Sequence, residues 1–211
     1  MSNRILKDAM ALTLITLVAG AALGGTYEIT KEPIARQEAL AKEKAYRDVF
    51  EKASEFKNVE ITGGLEAAIH QELDREGCRA QTVEEIMEAV DKNGDLLGYA
   101  FTVVSGEGYG GDIRFSMGVK EDGTVTGLSI LSISETAGLG MNADTPEFKE
   151  QFVGEKTDRF VYTKKGASAK GEIDALSGAT ITTNAMTNGV NAGLCAFRVL
   201  EGGEQLSLIH I

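Results

Sequence analysis

Tryptophan is absent from the 211 residues, proline occurs twice, and cysteine and histidine occur twice each. Each shortage excludes something. Two cysteines, Cys78 and Cys195, are too few for a disulfide scaffold or for a zinc or iron–sulfur site built on cysteine alone. One histidine is the penultimate residue, so a histidine-based metal site or a Ser-His-Asp triad would depend on His70, which has no supporting motif nearby. No metal site is expected. Basic residues are also short: 21 Lys and Arg stand against 32 Asp and Glu, giving a net charge of −11. That balance supplies no basic footprint for phosphate backbones, so nucleic acid is not an expected partner. Against two prolines stand 25 glycines, which makes the chain rich in turns and poor in rigid stops. A hydrophobic content of 43% is too high for wholesale disorder, and the length suits one medium domain with some chain to spare.

What is present begins with an uncharged run, Ala9 to Gly25 (AMALTLITLVAGAALGG). At about 1.5 Å per residue it nearly spans a hydrocarbon core of about 30 Å. Arg4 and Lys7 precede it; Glu28, Lys31 and Glu32 follow. The positive-inside rule then places the N-terminus in the cytoplasm and the remainder outside. Two alternatives compete with a membrane anchor. Ala19-Gly20-Ala21 has the small-residue form of a signal cleavage site, and a buried core helix is the other choice. Gly20, Gly24 and Gly25 hint at close packing against other membrane helices.

Residues 33–53 are rich in Ala, Glu, Lys and Arg. Ile34, Leu40, Ala45, Val49 and Phe50 give them an amphipathic helical period. From Val83 the texture changes to short runs with partial alternation: Val83–Val90, Leu96–Ser105, Ile113–Val119 and Val125–Ser132. Asn93-Gly94 and Asp122-Gly123 between them are hairpin signals. They predict an antiparallel sheet of at least four strands. A short helix is predicted over Asp144–Phe152, capped by Asp144 or Thr145 with Pro146 in its first turn, and Phe160–Thr163 reads as another strand. A long helix is predicted over Ile181–Leu200, with Ile181, Ala185, Val190, Leu194, Phe197 and Leu200 on one stripe. Gly189 and Gly193 weaken it but permit close approach to a sheet, and Gly202-Gly203 is expected to end it. No internal repeat is evident, and the apolar tail Leu206–Ile211 has no functional reading. The expected fold class is α+β, an antiparallel sheet with flanking helices behind one N-terminal transmembrane helix. The expected division is an anchor over 1–27, a helical linker and packing region over 28–80, the main domain over 81–205 and the tail over 206–211.

Three segments carry candidate chemistry. Gly106-Glu107-Gly108-Tyr109-Gly110-Gly111 matches G-x-G-x-x-G after a strand, but residues 112–120 read as another strand. The helix on which a dinucleotide phosphate would rest is therefore missing. What remains is either a plain glycine turn or backbone that approaches a flat ligand closely. Glu135-Thr136-Ala137-Gly138-Leu139-Gly140 is either an ordinary loop or one that offers Leu139 and peptide groups to an aromatic cofactor. Asp174-Ala175-Leu176-Ser177-Gly178-Ala179-Thr180 precedes the long helix. Ser177 or Thr180 there serves either as a cap or as part of a phosphate site, where free N–H groups and the helix dipole converge.

The last of these segments, followed by Ile181-Thr182-Thr183, resembles the flavinylation motif Asp-x-x-Ser-Gly-Ala-Thr of covalent FMN-binding domains. Glu135 to Gly140 resembles the family's Glu-Thr-x-Gly-Leu-Gly element, with Ala137 where relatives often have Pro, and Gly108 to Gly111 its Gly-Tyr-Gly-Gly element. In this order behind one membrane segment, the motifs look like the G-type component of the Rnf electron-transport complex, over essentially residues 5–200. The resemblance implies FMN held through a phosphoester to Thr180 and delivered by a flavin transferase that recognises Asp174, Ser177, Gly178, Ala179 and Thr180. It implies further cofactor contacts at Ser177, Gly178 and Ala179, at Glu135, Thr136, Gly138, Leu139 and Gly140, at Tyr109 and Gly110, and at Thr182 and Thr183, the last two either as phosphate donors or as ordinary helix-start hydroxyls. No catalytic residue is expected in this chain. The implied function is an electron relay in a complex that couples ferredoxin and NAD to Na⁺ or H⁺ transport, with the other Rnf subunits as partners and the flavin domain outside the cytoplasmic membrane. The alternatives are the C-type component of the sodium-pumping NADH:quinone reductase, which is typically longer, and a membrane-anchored binding module without redox function.

Overall fold

The computed structural model describes the backbone of residues 2–209 and the side chains of residues 4–202. It divides into two compact units, one up to Ala41 and one from Lys42 onward.

Helix α1 runs from Ser2 to Val49. It is one helix, not an anchor followed by a second helix starting at Pro33. Proline costs one i→i−4 hydrogen bond, and the bonds before and after it carry the helix through. In the first unit the apolar side chains lie open: Leu12, Ile15 and Leu17 are each more than 60% exposed. The segment is long and apolar enough to cross a membrane and is not buried, which excludes the core-helix alternative. Nothing lies against Gly20, Gly24 or Gly25 among the described residues. Of the amphipathic stripe, Ile34 and Leu40 are exposed, and burial begins in the second unit with Ala45, Val49 and Phe50.

The second unit is built on a five-stranded antiparallel meander in the order β1-β2-β3-β4-β5. Its strands are β1 Glu55–Val59, β2 Gln81–Val90, β3 Leu96–Ser105, β4 Ile113–Lys120 and β5 Val125–Ser132. The four predicted strands are present, with β2 beginning two residues before Val83. Strand β1 and helix α2 (Gly63–Glu76) precede them; both fall in the region read as helical linker. Helix α3 (Pro146–Lys149) has Thr145 as its N-cap and Pro146 in its first turn, between two short 3₁₀ turns. Strands β6 (Val161–Thr163) and β7 (Glu172–Asp174) form a small parallel pair. Helix α4 spans Thr180–Ile209. It does not stop at Gly202-Gly203, because Gly202 keeps a negative φ and never takes the left-handed turn that closes a helix. The predicted tail therefore begins within α4, while residues 210 and 211 lie outside the described residues.

Alternation along the strands sends Ile86, Tyr99, Phe101, Phe115, Met117 and Val119 to one face, where α2 and α4 cover them. Gly189 and Gly193 of α4 sit against Phe115 and Met117. A Cβ on Gly189 would come within 2.8 Å of the Phe115 ring, so the close helix–sheet approach expected of these glycines is realised. The other face is lined by Ala89 and Ala100 and is covered by Tyr46, Val49, Phe50 and Ala53. The larger core fixes α4 against the sheet, and with it the position of residue 180.

Candidate functional site

Three chain segments meet at the N-terminus of α4: the β3–β4 loop, the loop after β5, and residues 175–179. Glu135 joins them. Its carboxylate accepts the Gly110 N–H (3.1 Å) and the Thr182 hydroxyl (2.9 Å), and the residue is only 9% exposed. Each donor compensates part of the cost of burying the charge. Glycine is required where these segments touch. A Cβ on Gly140 would lie 2.5 Å from Glu135 Oε2 and 2.6 Å from Thr182 Oγ1, and one on Gly110 would overlap the Ser134 carbonyl. The glycines of the β3–β4 loop thus serve approach between parts of this chain, rather than a bare turn. The loop is also tied to α4 by Glu107, whose Oε2 accepts amide hydrogens from Asn188 (2.7 Å), Gln81 (2.8 Å) and Asn184 (3.3 Å).

The threonines at the start of α4 have different surroundings. Thr182 donates to Glu135. Thr183 donates to the Ala179 carbonyl (2.9 Å) and accepts the Leu176 N–H (3.0 Å), so it braces the turn leading into the helix. Both are fully buried. Thr180 is half-buried, and its hydroxyl has no partner among the described residues. The amides of Thr180, Ile181 and Thr182 find no backbone acceptor there either, as expected for the first turn of a helix. Gly178, at φ +74, bends the chain back just before this turn and brings its Cα under Leu139.

Between these segments lies a cleft of about 490 Å³ lined by Tyr109, Glu135, Thr136, Leu139, Gly140, Gly178, Ala179, Thr180, Ile181 and Thr182. Tyr109 is 72% exposed, Ile181 52% and Leu139 42%. Three apolar side chains therefore stand open beside a helix start with unfilled donors. A planar aromatic group with a phosphate tail suits such a surface: an apolar wall for the ring, amides for the anion.

Nine of the predicted contact residues line this cleft; Ser177, Thr183, Gly138 and Gly110 do not. Gly110 acts from behind through Glu135, Gly138 supplies a left-handed turn at φ +76, and Ser177 is exposed beside the cleft. Asp174 lies at the end of β7, where its carboxylate accepts the Ala167 N–H at 2.6 Å. Ile181 departs from the expected stripe: it faces the cleft and not the core. Its place directly after Thr180, in the first turn and ahead of the sheet contacts, is the signal that marks it. The glycine-rich segment 106–111 is followed by β4, so no helix follows it to receive a dinucleotide phosphate.

Residues 108–194 match the FMN-binding domain family, and residues 1–49 match the RnfG N-terminal region. The G component of the ion-translocating oxidoreductase complex of Methanosarcina acetivorans is 31% identical over 204 residues, covering 95% of this chain and 98% of the relative. The chain belongs to the RnfG family of ion-translocating oxidoreductase complexes. The G component of the Na⁺-translocating ferredoxin:NAD⁺ oxidoreductase complex of Acetobacterium woodii is 29% identical and covers 93% of each chain. The C component of the Na⁺-translocating NADH-quinone reductase of Parabacteroides distasonis shares the fold, with a TM-score of 0.53 at 18% identity over 78% of this chain and 94% of that one. The match to whole RnfG relatives, N-terminal region included, decides between the two expected families in favour of RnfG. The chain is thus an FMN-binding oxidoreductase component with one helix, among the described residues, that is long and apolar enough to cross a membrane.

Proposed function

We propose that this RnfG-family protein holds FMN through a phosphoester to Thr180 and relays electrons in a membrane complex that exchanges them between ferredoxin and NAD while moving Na⁺ or H⁺. The other Rnf subunits are its partners, and the anchor (1–27), packing region (28–80) and flavin domain (81–205) are its working parts. The observation that carries this reading is the unengaged Thr180 hydroxyl, set in the cleft at a helix N-terminus between buried Thr182 and the Gly178 bend.

In maturation, a flavin transferase reads Asp174 to Thr180 on the surface. The Thr180 oxygen forms the bond to phosphorus, AMP leaves from FAD, and the hydroxyl proton is released. One negative charge would remain on the phosphodiester, and the first-turn amides of α4 would hold it. Such a contact is worth roughly 0.3–2 kcal/mol, so it orients the phosphate while the ester retains it. When bound, the flavin supplies the redox chemistry. The chain's own part is to position it: Leu139, Tyr109 and Ile181 would flank the ring, and Glu135 holds two of the three segments to the helix. Arg4 and Lys7 keep the N-terminus in the cytoplasm, which puts this domain on the extracytoplasmic side.

Co-expression with the transferase followed by denaturing electrophoresis under ultraviolet light tests the attachment. The wild-type band fluoresces, its intact mass exceeds the polypeptide by one FMN less water, and Thr180→Val is dark at unchanged stability. A dark wild-type band beside active transferase would support a binding module without redox function. Orientation has its own test. Lys164→Cys should react with a membrane-impermeant maleimide on intact cells, with any outer membrane opened; reaction only after lysis reverses the topology.

A further inference from the structure

Cys78 and Cys195 lie far apart in sequence, and the fold brings them together. Cys78 follows Gly77, whose left-handed conformation (φ 75) ends α2, while Cys195 lies on α4. Both are free thiols, 0% and 1% exposed, in one apolar cluster. The Cys78 thiol donates to the Glu76 carbonyl at 4.0 Å, and the two thiols lie near enough across the α2–α4 contact for each to shift the ionisation of the other. A clasp of charged groups keeps the two elements in register. Arg198 donates to Cys195 Sγ at 3.3 Å, pairs with Glu72 of α2 at 3.1 Å and reaches the Glu76 carboxylate at 3.9 Å. Arg159 donates to the Glu76 carbonyl at 2.8 Å, two residues before Cys78.

We propose that Cys78 and Cys195 are a disulfide-forming pair that closes α2 onto α4 by exchange with a low-molecular-weight disulfide. The neighbouring Cys195 thiol holds the Cys78 thiol below its ordinary range against the opposing effect of burial, and the Arg159 charge acts in the same direction. Cys78 and burial together push Cys195 up. Cys78 is therefore the first nucleophile. Its thiolate attacks one sulfur of the small disulfide, giving a mixed disulfide and releasing one thiolate. Cys195 then attacks the Cys78 sulfur and displaces the second thiolate. The protein loses two electrons and two protons, and the small disulfide is reduced to two thiols. Because both sulfurs are buried, exchange proceeds through separation of α2 from α4 or during folding, and a low concentration of urea accelerates it.

The test uses the full chain in detergent, with oxidised glutathione as the probe. The sample is acid-quenched, alkylated and mapped by mass spectrometry. The expected product is lighter by two hydrogens, links the peptides containing residues 78 and 195, reverts with reductant, and unfolds at a Tm higher by roughly 5 °C or more. Cys78→Ser and Cys195→Ser each remove the linked species. The pairing is overturned if both cysteines remain alkylatable, or end only as separate glutathione adducts, after unfolding and refolding in oxidised glutathione. No flavin enters the readout, so the outcome is independent of attachment at Thr180.

Discussion

The two faces of the meander solve the same packing problem with opposite assignments. Toward α4, the sheet supplies bulk and the helix gives way: Phe115 and Met117 fill the space left by Gly189 and Gly193. On the other face the sheet gives way and the covering segment supplies bulk. Phe50 lies over Gly118, whose Cβ would sit 2.9 Å from the ring, and Val49 lies over Gly127. The first contact is apolar at its centre, with the Glu107 carboxylate bonded to Gln81, Asn184 and Asn188 at one end. The second is laced with polar groups: Tyr46 shares hydrogen bonds with Glu85 and Thr102 (both 2.8 Å), Lys42 pairs with Glu85 at 2.6 Å, and Ser129 donates to Asp48. Close-packed interiors permit either solution as long as volumes interlock. The difference lies in what each contact responds to. The α4 face is sensitive to lost volume, and the opposite face to added volume and to protons.

The largest effect is expected from removing bulk on the α4 face. Phe115→Ala should cost roughly 3–5 kcal/mol in denaturant unfolding; a loss under about 1 kcal/mol would mean that α4 closes onto the vacancy and that the two faces are equally pliable. Adding bulk on the other face comes next. Gly118→Val drives methyl groups into Phe50 and Thr126 and should cost roughly 1–3 kcal/mol. The smallest is electrostatic. Burial opposes ionisation of Glu85, but hydrogen bonds from Lys42 and Tyr46 outweigh it and hold its carboxyl below the usual glutamate range. Its contribution is thus fully present above the unfolded pKa of about 4.3 and is lost as pH falls through the lower folded value. Glu85→Gln should flatten that part of the acid limb by up to about 1 kcal/mol. An unchanged acid limb would assign the loss to other carboxylates.

How much of this was legible in sequence depended on the length and contrast of each pattern. Four strands showed themselves because β-branched and aromatic residues alternate between Asn-Gly and Asp-Gly turns. Strand β1 (EFKNV) is a charged edge strand with no buried residue, and β7 has three residues, so neither carries a period. Helix α2 opens on Gly63-Gly64, which reads as loop. Glycine at a helix end is ambiguous until φ is known: Gly77 turns left-handed and stops α2, whereas Gly202 stays helical and α4 runs on. At the site, three motifs marked the segments that meet in the cleft. The Glu135 junction was not legible, because it depends on a Gly110–Thr182 neighbourhood that only the folded chain creates. The proposed pairing of Cys78 with Cys195 has the same cause: it depends on the α2–α4 contact and leaves no mark in either local sequence.

Residues 180, 182 and 183 carry chemically equivalent secondary alcohols within a single helical turn. Two of them are already consumed by internal bonding, so under the attachment proposed above an incoming electrophile of phosphorus would meet the alcohol of residue 180 free of any partner among the described residues. On that proposal, regiochemistry would be settled by folding before any enzyme arrived, and a partly unfolded chain, with all three alcohols at liberty, would forfeit that discrimination.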